Sequence, residues 1–287
     1  MSIFETNVDS FIPEIWAAAL DIDLSARYVF SSPICTNRDY EGDVRRGSAV
    51  VINRLKEPVI ESYTGVDMNL SDLETEPIKL PIEHAKAFNF AVDDITAVQA
   101  AGALLDQAIT QASIGLVREA DTYVGNKIDA AATALSGPID ASTGNPGDAI
   151  FAGILTLGRM LDDNDVPQEG RYLVVSPAVK EALMKCAAFS SAANYGNANP
   201  IQNGVIGSIA GFVVQLTTHL PKTVGGTFKA ELYAGHPLAT TYASQIEDME
   251  TIRHPARFSN IVRGLHVAGA VVTEPKALVK ATVDWAA

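Results

Sequence analysis

The sequence has few cysteines and no long uncharged apolar run. Its 287 residues include two cysteines, Cys35 and Cys186, too few for a disulfide framework and too far apart for a zinc site. No uncharged stretch reaches the ~20 residues of a membrane-spanning helix. Residues 1–10 lack the basic and then apolar pattern of a signal peptide. We therefore expect a soluble protein, made in a cytoplasm, that leaves it only as part of a particle.

Basic residues are also scarce. Lys and Arg total 21 against 34 Asp and Glu, a formal net charge of −13. Proteins that bind phosphate backbones usually carry a basic face, so tight nucleic-acid binding is not expected. The acidity suits a wall that encloses DNA without adhering to it, and it suits equally a protein that charge merely keeps soluble.

Sequence patterns for bound cofactors are missing. The glycine-rich stretch 204–211 lacks a Gly-Lys-Ser/Thr ending and precedes a predicted strand, whereas a phosphate-binding loop precedes a helix. The acidic run 162–165 lacks the later glycine and glutamate of a calcium loop. None of the histidines has zinc-ligand spacing; they are His84, His219, His236, His254 and His266. We predict no cofactor and no metal.

Ser176 is the one residue placed as a catalytic nucleophile would be. It follows a predicted strand, as in α/β hydrolases, but it lacks the Gly-x-Ser-x-Gly frame, and Pro177 has no backbone N–H for an oxyanion. We predict that the protein has no catalytic residues and is not an enzyme. An α/β hydrolase-type enzyme using Ser176 and a histidine is the alternative from another functional class.

The strongest periodic signal lies at residues 96–135. Its spacing predicts a helix of about ten turns, roughly 55–60 Å long, capped by Thr96 and ended by Gly137. The internal glycines at 102, 115 and 125 indicate a kink or close approach of another backbone. The apolar positions are Leu105, Ile109, Ala112, Leu116, Ala120, Tyr123, Ile128, Ala131 and Leu135.

Residues 47–92 change to strand periodicity. Strands are predicted at 49–52 and 59–63, and apolar residues alternate at Ile78, Leu80 and Ile82. This predicts a long two-stranded ribbon, which needs a partner surface because an isolated hairpin is marginal in water. Residues 1–46 hold a short predicted helix after Ser10 and too few core residues to fold alone, so they must lie on this chain or on a neighbour.

The residue pattern of the remaining chain predicts an α/β region followed by a strand-rich end. Residues 137–230 predict helices at 149–161 and 178–188, strands at 172–175 and 212–216, and a loop at 189–204. Residues 231–287 predict strands at 232–234, 238–242, 261–272 and 277–283.

Four stretches occur in an order that resembles a known family. They are FIPEIW at 11–16, NRDYEG at 37–42 followed by GSAV at 47–50, VPQEGRYLVVSP at 166–177, and IGSIAGFVV at 206–214. Together with the long helix they resemble the major capsid proteins of tailed phages, which have the α+β Hong Kong 97-like coat fold, and among these the podovirus-type gene-five coat class.

The resemblance implies a layout. It comprises an N-arm at 1–46, an extended β-hairpin loop at 47–85, a peripheral domain with the long spine helix at 86–136 and 240–287, and an axial α/β domain at 137–239. It also implies self-assembly into hexamers and pentamers of an icosahedral virion shell that encloses double-stranded DNA, with a portal and a separate scaffolding protein as partners. An encapsulin-like nanocompartment is the alternative within the same fold.

We expect the arm and the ribbon to find their missing burial on sister copies. Burial of Trp16 is expected to provide cohesion between subunits. Charge pairing is expected to set their register, through Arg54, Lys56, Glu57 and Glu61.

Overall fold

The computed structural model describes residues 28–40, 49–55, 60, 75–93, 103–186, 207–223, 225–256 and 258–285. The helices in these ranges are α1 (Ala103–Ala131), α2 (Pro146–Asp162) and α3 (Pro177–Lys185). The strands are β1 (Ala49–Leu55), β2 (Thr75–Pro81), β3 (His84–Asp93), β4 (Thr133–Ala134), β5 (Ile139–Ala141), β6 (Tyr172–Val175), β7 (Ser208–Ile209), β8 (Phe212–Leu216), β9 (Leu232–Gly235), β10 (Thr240–Arg253), β11 (Ser259–Val272), β12 (Leu278–Ala281) and β13 (Val283–Trp285). None of the described helices is long and apolar enough to span a membrane.

A three-stranded antiparallel sheet, ordered β10-β11-β3, forms one half of the body. Helix α1 packs on one face of this sheet, where Leu116, Val117 and Ala120 join Val262 in a buried cluster. The other face receives the β1–β2 ribbon, whose Ile52, Leu80 and Ile82 bury against Ala243 and Val267. The sheet is therefore covered on both faces, which explains the apolar run in β11.

Helix α1 is the long helix that the periodicity predicted, but its carboxyl end was predicted four residues too late. Residues 94–102, which include the predicted cap Thr96, lie outside the described part. After Ala131 the chain turns into β4, which pairs with β12, and the Leu135 N–H donates to the Lys280 carbonyl at 2.9 Å. Strand pairing has overridden the helical spacing there. The described helix is about 43 Å long at 1.5 Å per residue.

Gly125 of α1 admits a close neighbour, as the sequence suggested, but the neighbour is a side chain. A Cβ at this position would lie 3.3 Å from the Phe30 ring, whereas a Cβ at Gly115 would meet nothing within 4 Å. The helix thus receives Phe30 from the segment before the ribbon.

The second half of the body is a six-stranded sheet, ordered β4-β12-β9-β6-β8-β7. All four residues of β6 are buried, and α2 buries Ile150, Ile154, Leu157 and Leu161 in the same core. Helix α2 begins after Asn145, whose side chain accepts from the Gly147 N–H at 3.2 Å, with Pro146 in its first turn. The predictions for α2, β6, β8 and β9 are confirmed.

Four other predicted elements were wrong, incomplete or described only in part. The strand predicted at 277–283 is two strands, β12 and β13, which follow a 3-10 turn at Pro275–Ala277. Helix α3 ends at Lys185, three residues early, because Cys186 is extended. The strand predicted at 238–242 starts at Thr240 and continues to Arg253, since Pro237–Ala239 forms a 3-10 turn. Of the strand predicted at 59–63, only Ile60 is described, and it lies in no strand. The helix after Ser10 and the loop at 189–204 fall outside the described residues.

Two glycines of α2 give a matched test of this packing. In Gly147→Ala the new methyl group would overlap the Ala182 carbonyl oxygen and lie 2.8 Å from Cys186 Cβ, so we expect a loss of about 2 kcal/mol or more in the free energy of unfolding. In Gly158→Ala the methyl group meets Phe212 at an ordinary 3.5 Å, so helix propensity should raise stability by up to ~1 kcal/mol. Urea unfolding measures both; equal effects would contradict the packing described.

Candidate assembly surface

The β1–β2 ribbon is mounted on its own chain. Its seven antiparallel pairs run from Ala49↔Pro81 to Leu55↔Thr75. Alternation directs Ile52 and Leu80 onto the three-stranded sheet, while Val51 on the outer face remains 50% exposed. The expectation that the ribbon finds its burial on sister copies is therefore wrong for the inner face of these strands, because β10 and β11 of the same chain supply that surface.

Arg54 holds the ribbon to the body at a second point. Its guanidinium pairs with the Glu274 carboxylate and donates to the Thr273 carbonyl at 3.2 Å. Both charged side chains are partly solvent-exposed, and such pairs contribute roughly 1 kcal/mol or less. The pair therefore fixes the direction of the ribbon more than it stabilises the fold. A groove of about 280 Å³ lies beside it, lined also by Leu238, Lys276 and His236.

The segment 28–40 is likewise bound to the body, through a buried carboxylate of α1. Asp121 accepts from the Val29 N–H at 3.1 Å, from the Ser31 N–H at 3.2 Å and from the Ser31 hydroxyl at 2.6 Å. Asn37 extends the attachment, since its N–H donates to the Thr240 carbonyl and its carbonyl accepts from the Tyr242 N–H. This part of the predicted arm lies on its own chain, so the expectation that the arm finds its burial on sister copies is wrong for residues 28–40.

Aromatic rings fill the space beneath this segment. Phe30 is fully buried in the main core, edge-on to Tyr233 at 5.8 Å between centroids. The Arg38 guanidinium lies 5.5 Å from the centre of the Tyr28 ring and 5.4 Å from that of Tyr242. A cation near two ring faces is attracted by both quadrupoles.

Two buried histidines lie near the same segment, His266 against Tyr28 and His84 beside it on the sheet. Burial lowers the pKa of His266 to about 4, with smaller contributions from His84 and Arg38. Burial also lowers the pKa of His84, assisted by Lys86. Both imidazoles are therefore neutral near pH 7, because desolvation disfavours their charged form.

A second buried carboxylate of α1 ties this helix to the six-stranded sheet. Asp129 accepts from the Tyr233 hydroxyl at 3.0 Å and from Lys280 at 2.9 Å, and Lys229 lies 3.3 Å away. Although burial acts to raise the pKa of Asp129, the hydrogen bonds from Lys280 and Tyr233 outweigh it and lower the pKa. No sequence signal distinguishes Asp121 and Asp129 from solvent-facing acids, so sequence reasoning missed both.

Of the interface residues proposed from sequence, the structure places only Arg54. Trp16, Lys56, Glu57 and Glu61 lie outside the described residues. Arg54 pairs with Glu274 of its own chain, and a role for it in the contact with a neighbouring subunit stays a prediction.

Ser176 acts as a helix cap. Its hydroxyl accepts from the Val179 N–H at 3.3 Å and donates to the Glu231 carboxylate at 2.8 Å. Among the described residues, no hydrogen bond joins Ser176 to a histidine. The same holds for metal sites: the described side chains form no group of three or more His, Cys, Asp or Glu suited to a metal ion.

The long helix, the three-stranded sheet with its ribbon and the separate six-stranded sheet together define a Hong Kong 97-like coat protein. A family model described as phage capsid protein matches residues 77–281, so the chain belongs to the phage capsid protein family. It is a major capsid protein, which forms the icosahedral head shell of a virion by self-assembly.

Solved structures agree with this assignment. A chain from Mycobacterium phage Che8 superimposes with a TM-score of 0.70 at 30% identity, covering 88% of this chain and 90% of that one. A chain from the capsid of cyanophage P-SCSP1u gives 0.70 at 14% identity, covering 90% and 88%. One from the mature capsid of bacteriophage PhiM1 gives 0.65 at 13%, covering 99% and 91%. The last two show the fold alone. A comparison with curated protein sequences gives no match.

The Asp121 attachment can be tested by one isosteric change. In Asp121→Asn the amide would present N–H groups to the N–H donors of Val29 and Ser31, so we expect a loss of about 2 kcal/mol in the free energy of unfolding and faster trypsin cleavage after Arg38. Asp163→Asn, at the exposed end of α2, is the control and should change neither quantity. Unchanged cleavage in Asp121→Asn would mean that the carboxylate does not hold the segment.

Proposed function

We propose that this capsid protein builds its shell from hexamers and pentamers, in which neighbouring subunits contact one another through the ribbon and the N-arm. The supporting observation is the distribution of apolar surface. The inner face of the ribbon is buried on its own chain, but Val51 on the outer face is 50% exposed, and Ile60 beyond β1 is 88% exposed. A ribbon anchored at its base can present these groups to a neighbouring subunit.

The parts of the chain take the roles that the sequence implied. Residues 1–46 form the N-arm and 47–85 the extended loop; 86–136 with 240–287 form the peripheral domain around α1, and 137–239 the axial domain around the six-stranded sheet. The three-stranded sheet with α1 supports the peripheral part of this division. The six-stranded sheet supports the axial part only in its strands β6 to β9, because β4 and β12 come from outside residues 137–239. Each contact between subunits can be weak, because many such contacts form at once when copies close into a ring and then a shell, and their combined affinity is high.

The shell encloses double-stranded DNA without binding it specifically, which the net charge of −13 supports. A separate scaffolding protein and a portal complete the assembly, which takes place in the bacterial cytoplasm, and the podovirus-type class remains our prediction. The subunit performs no catalysis: the Ser176 hydroxyl is engaged by Val179 and Glu231. An encapsulin-like compartment would differ by containing a single cargo protein in place of DNA.

The direction of the ribbon can be tested by a charge exchange. Arg54→Glu places two carboxylates together at the base of the ribbon, so we expect shell yield to fall several-fold while the subunit remains folded. Arg54→Glu combined with Glu274→Arg restores an ion pair and should restore assembly. Sedimentation and negative-stain electron microscopy measure the yield, and circular dichroism checks the fold.

Lys185→Glu is the control, because it removes an exposed ion pair with Glu181 on α3 without touching the ribbon. Normal shells from Arg54→Glu, or equal losses from Lys185→Glu, would show that this attachment does not direct assembly.

A further inference from the structure

Two histidines lie side by side on the face of the three-stranded sheet that carries α1. His266 of β11 pairs in register with Lys86 of β3, and Ala268 pairs with His84, so the two imidazoles are diagonal neighbours on one face. His266 is 3% exposed and His84 is 9% exposed. Histidine is intermediate among residues in its frequency of burial, so two buried on one face need a physical account.

The segment 28–40 covers His266, and α1 covers its neighbour His84. The Tyr28 hydroxyl lies 3.5 Å from His266 Nε2, and Arg38 stands against the Tyr28 ring. His84 stacks on Tyr123 of α1 with ring centroids 4.5 Å apart, and its Nδ1 is buried with no hydrogen-bond partner among the described residues. A second ring proton on His84 Nδ1 would therefore have no acceptor among the described residues.

We propose that His84 and His266 form an acid-sensitive clasp, which holds residues 28–40 on the body while both imidazoles are neutral and releases the segment when they are protonated. A proton on His266 would add a cation to a dry site that already contains Arg38 and adjoins Lys86. Opening the segment gives that charge access to water. The lowered pKa values of both histidines agree with this arrangement.

The charges around the pair come from every element packed on it. Glu119 pairs with Lys86 at 2.7 Å and Glu83 pairs with Lys127 at 2.9 Å. Both carboxylates act to raise the pKa of His84, but burial and Lys86 outweigh them and lower it. His219 Nδ1 lies 3.6 Å from the Asp121 carboxylate that holds the segment, so this residue needs a control variant of its own. Among the described residues, the titratable and charged neighbours are Tyr28, Arg38, Glu83, Lys86, Glu119, Asp121, Tyr123, Lys127, His219 and Tyr242.

The direction of the pH effect follows from linkage. The closed state holds His266 with a lowered pKa, whereas the open state restores its ordinary value of about 6.5. The closed state is therefore favoured fully above about pH 6.5, and that advantage is lost as the pH falls toward 4. Between about pH 7 and about pH 5, the population of the open segment should rise roughly tenfold or more.

Hydrogen–deuterium exchange on the full-length protein tests the clasp. After correction for intrinsic exchange rates, the amides of residues 29–37 should lose roughly tenfold or more of their protection on going from about pH 7 to about pH 5. The amides of α2 serve as an internal reference and should lose little. His266→Gln should abolish most of the pH dependence, and His254→Gln, near the β10–β11 turn, should leave it intact. His219→Gln should also leave the loss in place.

His84→Gln, at the less buried member of the pair, provides a second variant if His266→Gln does not fold, and it should reduce the pH dependence. The proposal is overturned if wild type keeps its protection at about pH 5, if α2 loses protection equally, or if the folded histidine variants respond to acid as wild type does. These readouts concern the subunit alone, so they are independent of whether the ribbon directs assembly.

Discussion

The structure depends on the burial of one three-stranded sheet from both sides. Strand β11 lies in its centre, with α1 against one face and the β1–β2 ribbon against the other. Burial of apolar area on both faces is the dominant favourable contribution at this site. It fixes the direction of the spine helix and of the ribbon relative to each other, and so it determines which surfaces a subunit can offer to its neighbours.

Polar contacts then place the remaining parts on this frame. Asp121 receives the segment before the ribbon, Asp129 binds the six-stranded sheet, and Arg54 joins the base of the ribbon to Glu274. The first two are buried and costly to disrupt, whereas the third is exposed and contributes direction. A capsid subunit needs this combination, because its body must stay constant while its projecting parts meet neighbours in different surroundings.

The sequence predicted elements whose burial follows a simple period. Helix α2 and strands β6 and β8 have continuous apolar faces, and their bounds were nearly right. Sequence-based prediction failed where strand pairing decides the conformation. Strand β4 includes residues that helical spacing assigned to the end of α1, and the distal half of β10 is too polar to be recognised as a strand. The predicted need of the ribbon for a partner surface was sound, but only the fold shows that β10 and β11 supply it. Asp121 and Asp129 could not be found from sequence, because their role arises from groups 90 or more residues away in the chain.

The central claim is that each ribbon is anchored on its own subunit by one face and completed by a neighbour on the other. Electron cryo-microscopy of shells assembled from the purified protein tests it most directly. The account predicts closed shells in which Ile52 and Leu80 stay against their own sheet while Val51 and Ile60 are buried on an adjacent copy. Shells in which the outer face of the ribbon is left in solvent, or in which the inner face leaves its own chain, would contradict it.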